Sequence, residues 1–203
     1  MEHPNDIAQR LLNIQKESLS KERRESLIDS MESNETNGHD CLSCEGTCCT
    51  FQANSMKVTP LETLDLVADM INKGRWTDEW EKKLREQVRI DRLGDNAPTD
   101  GKRDLIRRTY TCPFFKIEKG FGCGVEREKK PYGCLAFNPN TAQQTEGGDC
   151  SSDISSLEKQ DEAFASIHAH FAAQLEKEFS ISPIKSDLPS ALLKFFDALK
   201  KQS

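Results

Sequence analysis

Four cysteines within nine residues, Cys41, Cys44, Cys48 and Cys49, constrain this chain more than any other feature. Cysteines used as small core residues are scattered among apolar neighbours. These stand instead among Ser43, Glu45, Gly46 and Thr47. A Cys-x2-Cys step lets a tight turn aim two thiolates at one ion, which is why it recurs in zinc and iron–sulfur sites. Four more cysteines, Cys112, Cys123, Cys134 and Cys150, spread over 39 residues. Glycine flanks two of them, in Gly122-Cys123-Gly124 and Gly133-Cys134, where a missing side chain lets backbone N–H groups approach sulfur. Adjacent side chains on extended backbone point in opposite directions, so Cys48 and Cys49 are expected to serve neighbouring sites rather than one ion.

Thiol chemistry depends on compartment. Met1 to Ile14 carries acidic and polar residues where a signal peptide has its apolar stretch, and no run approaches the roughly 20 apolar residues of a membrane span. The expectation is a soluble cytoplasmic protein with no membrane contact, whose thiols bind metal rather than form disulfides. A formal charge of −6 argues against nucleic acid, which needs clustered Lys and Arg. Proteins or small solutes remain as partners. With 203 residues, 35% of them hydrophobic, one core of ordinary size is expected, with extra fastening.

Helical periodicity dominates outside the cysteine groups. Ile7, Leu11 and Ile14, then Leu27, Ile28 and Met31, read as one or two exposed amphipathic helices, and residues 32–38 as a linker. Thr59-Pro60-Leu61-Glu62 sets a cap, a first-turn proline and a capping-box glutamate in order, predicting a helix from Pro60 to Lys73 stopped by Gly74. Thr77 caps a second helix with Trp80, Leu84 and Val88 on one face, and the two are expected to pack as a hairpin. A long helix from Ser155 carries Leu157, Phe164, Phe171, Leu175 and Phe179. A last one follows Asp187-Leu188-Pro189, with Leu192, Phe195, Phe196 and Leu199 inward. The fold class is therefore mainly α, a small helical domain with irregular cysteine-rich loops and at most a short β-hairpin. Its organisation reads as an N-terminal helical segment and linker (1–38), a cysteine-rich metal-binding domain (39–180) and a C-terminal helix packing on it (181–203).

The motifs resemble a family described as a zinc- or iron-chelating domain with eight characteristic cysteines. The likeness runs through Cys41-Leu42-Ser43-Cys44-Glu45-Gly46-Thr47-Cys48-Cys49, Val58-Thr59-Pro60-Leu61-Glu62, Cys112-Pro113-Phe114-Phe115, Gly122-Cys123-Gly124-Val125 and Lys130-Pro131-Tyr132-Gly133-Cys134-Leu135-Ala136-Phe137, closing at Cys150. It covers about half the chain. The first cluster is one residue longer than the family's common form, and Lys130 and Leu135 stand where arginines are frequent. The resemblance implies metal chelation by all eight cysteines. A flagellin lysine methylase carries a similar cysteine domain, which raises methyl transfer as an activity.

Three functional classes are compatible with these residues. An all-cysteine ligand set suits zinc and iron–sulfur clusters alike, and eight thiolates exceed the four of one zinc, which favours iron–sulfur. An enzyme would need a substrate wall, for which Tyr110, Tyr132, Phe114 and Phe137 are candidates. A partner-binding module would use structural zinc and its terminal helices. No nucleotide motif or catalytic His–acid pair supports the enzyme, so the reading leans away from catalysis. His168, on the apolar stripe of the long helix, reads as a core histidine, and His39 as the better auxiliary ligand. Between Lys102 and Lys130, nine basic residues face four acidic ones, a patch suited to offsetting thiolate charge.

Overall fold

A computed structural model describes residues 4–36, 47–94, 108–116, 122–138 and 151–201. Cys41, Cys44, Cys150 and His39 lie outside them. The described chain is mainly α, with eight helices: α1 (Pro4–Glu17), α2 (Glu25–Thr36), α3 (Pro60–Asn72), α4 (Asp78–Ile90), α5 (Tyr132–Leu135), α6 (Ile154–Ala163), α7 (Ala165–Phe179) and α8 (Leu188–Lys201). Three antiparallel pairs of two-residue strands join them. β1 (Lys57–Val58) pairs with β6 (Ser186–Asp187), β2 (Phe115–Lys116) with β3 (Gly122–Cys123), and β4 (Phe137–Asn138) with β5 (Ser151–Ser152).

Helix α3 is the axis of the molecule, buried almost all round from Pro60 to Met70. Its start is as the sequence predicts. The Thr59 hydroxyl accepts from Glu62 N at 3.1 Å, and Glu62 Oε2 accepts from Thr59 N at 2.8 Å. At its other end Gly74, at φ +63°, takes the left-handed turn that lets Arg75 N reach back to Met70 O at 2.8 Å. Helices α1, α7 and α8 pack around it. Ile7, Leu11 and Ile14 of α1 are at most 4% exposed, joining Leu64, Leu175 and Leu192 in one core.

Four expectations need correction. The N-terminal segment is not an exposed appendage, because the apolar stripe of α1 is buried in the main core. The expected linker at 32–38 is helical through Thr36 as the end of α2. Helix α4 packs on α8 rather than forming a hairpin with α3, with Trp76 stacked on Phe196 at 3.6 Å and 5°. The long C-terminal helix is broken at Phe164, and Asp153, not Ser155, caps it by accepting from Ser156 N at 3.1 Å. The break lets α6 serve a second, smaller cluster, in which Leu157 meets Leu27, Met31, Tyr132, Leu135 and Ala136. Periodicity alone continues through such a break, since Phe164 remains in phase with both halves.

Among the described residues no helix is long and apolar enough to cross a membrane.

Candidate metal centre

The two cysteine groups are joined by main chain. Thr47–Cys49 forms one 3-10 turn, and the chain after it runs beside 110–112. Cys112 N donates to Cys49 O at 2.7 Å and Tyr110 N to Asn54 O at 2.9 Å. Tyr110 is fully buried. Its hydroxyl donates to Met56 O at 2.6 Å and accepts from Leu188 N at 3.2 Å, tying this junction to the start of α8. The β2–β3 hairpin then sets Cys123 opposite Phe115. Val125 N lies 3.4 Å from Cys123 Sγ, the backbone-to-sulfur approach that the flanking glycines suggest. Gly124 is required there, because a Cβ would fall 2.9 Å from Phe114 O.

Cys134 arrives from a third direction, on the short helix α5, which is anchored by buried charges. Glu62, whose Oε2 closes the α3 capping box, accepts Tyr132 N at 2.8 Å through Oε1. Arg24 Nε donates to Lys130 O at 2.8 Å, and Arg23 donates to the Tyr132 hydroxyl. Both arginines reach Asp65 Oδ2 at 2.8 Å, and all three side chains are fully buried. Burial alone would raise the Asp65 carboxyl, but Arg24 and Arg23 together hold it below the usual carboxylate range. Gln160 donates to Arg23 O, so α6 closes the same seam. Arg24 Nη2 is buried with no hydrogen-bond partner.

These elements gather Cys49, Cys112, Cys123 and Cys134 into one neighbourhood. Each of the four lies within electrostatic reach of the other three. The five described cysteines are thiols rather than disulfides. Burial pushes the Cys112, Cys123 and Cys134 thiols up, as desolvation disfavours thiolate. Cys49, beside Cys48 and under the field of Lys130, is instead lowered to about 7. The expectation that Cys48 and Cys49 point apart is overturned, because the 3-10 turn replaces extended backbone and brings their sulfurs to 4.0 Å. Two thiolates about 2.3 Å from one tetrahedral ion stand about 3.8 Å apart, so this spacing suits a shared ion.

Among the described residues no three His, Cys, Asp or Glu side chains already stand in metal-holding geometry. What the fold supplies is a shared sulfur neighbourhood with a cation beside it. Lys130 is 9% exposed, and its charge favours the thiolates of Cys49, Cys123 and Cys134. The donor chemistry fits a thiophilic metal, since binding would favour the thiolates that burial disfavours.

The aromatic candidates for a substrate wall have other duties. Tyr110, Phe114 and Tyr132 are at most 5% exposed, in the two apolar clusters, and the Phe137 side chain is outside the described set. An open depression along α4, between Glu79 and Asp91, is lined by none of the described cysteines. His168 is half-buried and sits edge-on to Tyr132, with Nε2 3.2 Å from the hydroxyl. Burial lowers its pKa to about 4.

Sequence reading misses the polar seam. Arg23 and Arg24, in the charged run Lys21-Glu22-Arg23-Arg24, look like a solvated face, and Asp65 looks like one more polar position on a helix. Only the Glu62 capping role is legible. No family model, curated protein or solved structure matches this chain.

Proposed function

We propose that the chain is a cysteine-ligated metal-binding protein whose centre is held by Cys49, Cys112, Cys123 and Cys134 with Cys48 at its edge. The carrying observation is the mutual proximity of those four thiols, delivered by the 47–49 turn, Cys112, Cys123 and Cys134. Cys41, Cys44 and Cys150 complete the ligand set on the family resemblance. Eight thiols outnumber the four ligands of one zinc, so an iron–sulfur cluster is favoured over zinc. The surrounding charge supports an anionic thiolate centre. Lys130, 9% exposed, lies close enough for its charge to favour the thiolates of Cys49, Cys123 and Cys134.

In this reading the protein's residues perform three tasks. The 47–56, 108–116 and 122–125 segments present thiols, the Arg23–Arg24–Asp65 seam holds Cys134 in place, and Lys130 offsets charge. A bound iron–sulfur cluster would supply one-electron chemistry, and zinc would supply only cross-linking. Reduced thiols and a charge of −6 suit a cytoplasmic protein that works with a protein partner rather than nucleic acid.

The test is metal and acid-labile sulfide analysis of anaerobically purified full-length protein, with its absorption spectrum. Iron with sulfide and a band near roughly 400 nm supports the cluster. Stoichiometric zinc without colour makes the centre structural, and absence of metal refutes the proposal.

A further inference from the structure

We propose that the thioether of Met56 is a further sulfur donor of this centre, alongside the thiolates. The inference rests on the metal-binding reading above. Met56 is pinned at the backbone from both sides. Its N donates to Asn54 Oδ1 at 3.1 Å and its carbonyl accepts from the Tyr110 hydroxyl at 2.6 Å. Asn54 and Tyr110 are 5% and 0% exposed. Methionine usually enters a protein interior as an adaptable gap-filler. This one is fixed where the chain leaves the Cys48–Cys49 turn, and its Sδ lies 3.5 Å from Cys134 Sγ.

Gly133 gives the second geometric argument. A Cβ there would fall 3.1 Å from Met56 Sδ and 3.3 Å from Cγ. Glycine beside Cys134 thus leaves room for the thioether next to the thiol. Any larger residue would push the sulfur away from it.

The chemistry points the same way. Thioether and thiolate are both soft donors for thiophilic metals. The thioether is neutral, so it adds a ligand without adding negative charge where clustered thiolates would already repel one another. Met56 therefore adds a soft donor to the set at no cost in charge.

The experiment uses full-length selenomethionine protein, purified anaerobically with the metal it acquires, and X-ray absorption at the selenium edge. The same spectrum is taken from Met56→Leu, in which Met1, Met31 and Met70 still carry selenium. A selenium–metal scattering path in the parent that vanishes in Met56→Leu is the expected result. With it should come a loss of metal retention against EDTA of about tenfold. Bound metal without a selenium–metal path overturns the Met56 assignment and leaves the thiolate centre standing. Protein that carries no metal overturns the metal reading itself, and this inference with it. Metal content distinguishes the two failures. Should Met56→Leu fail to fold, a parent path that persists in both Met31→Leu and Met70→Leu supports Met56, and its absence from the parent overturns the assignment.

Discussion

Around α3, the side chains of Ile7, Leu64, Leu175 and Leu192 meet one another at almost zero exposure, and each is held by apolar contact. Where residues 18–24 and 130–136 meet the Asp65 side of α3 the chain buries just as deeply, but what it buries there includes Arg23, Arg24 and Asp65. The first region tolerates loss of any single contact in proportion to the area removed. The second depends on matching, because removing one charge strands the others. The apolar core makes the scaffold, and the charged seam fixes a cysteine-bearing loop upon it.

That contrast can be broken by experiment, most sharply at Asp65. Asp65→Ala leaves two arginines buried without their carboxylate and is expected to cost about 4 kcal/mol in urea unfolding. Leu192→Ala in the main core should cost about 3 kcal/mol. The two variants should separate in metal binding. Asp65→Ala should weaken metal retention by the protein that remains folded, whereas Leu192→Ala should not. Equal metal retention in both would mean that the seam stabilises the fold without positioning Cys134.

A smaller effect is expected at Glu62, where one carboxylate both caps α3 and receives Tyr132 N. Glu62→Gln keeps the size but weakens both bonds, for about 1–2 kcal/mol of stability. Hydrogen exchange should then rise in 131–136 as well as in the first turn of α3. A rise confined to α3 would dissociate the cap from the cysteine loop.

The smallest effect concerns pH. His168 is held neutral in the folded chain, with its pKa lowered to about 4 by burial and by Arg23 and Lys185, against Asp161 and Asp65. The unfolded chain binds that proton first, so stability is complete above the ordinary histidine value of about 6.5 and declines as pH falls toward 4. Since the ring is partly exposed, the loss should be about 1 kcal/mol. His168→Gln should flatten the stability curve between pH 6.5 and 4. An unchanged curve would assign the acid sensitivity to other groups.

The helices are legible in the sequence because capping and periodicity are local. Thr59, Pro60, Glu62 and Gly74 specify α3 at both ends within 16 residues, and the structure follows them closely. The stripe of α1 is equally visible, yet nothing local says whether an apolar face meets the main core or solvent. The adjacency of Cys48 and Cys49 is visible too, but divergent side chains are a property of extended backbone. One 3-10 turn reverses the conclusion.

The amino-acid sequence by itself determined that the chain is mainly helical and cysteine-rich, and where α3 begins and ends. Each of those properties depends on residues only a few positions apart, so short-range sterics and hydrogen bonding settle them. Only the tertiary structure decided that Cys49, Cys112, Cys123 and Cys134 share one neighbourhood, that Met56 adjoins it, and that Arg23 and Arg24 turn inward to Asp65. Those arrangements join residues tens of positions apart in the chain. A buried charge gains from such a partner only once the packing has excluded water.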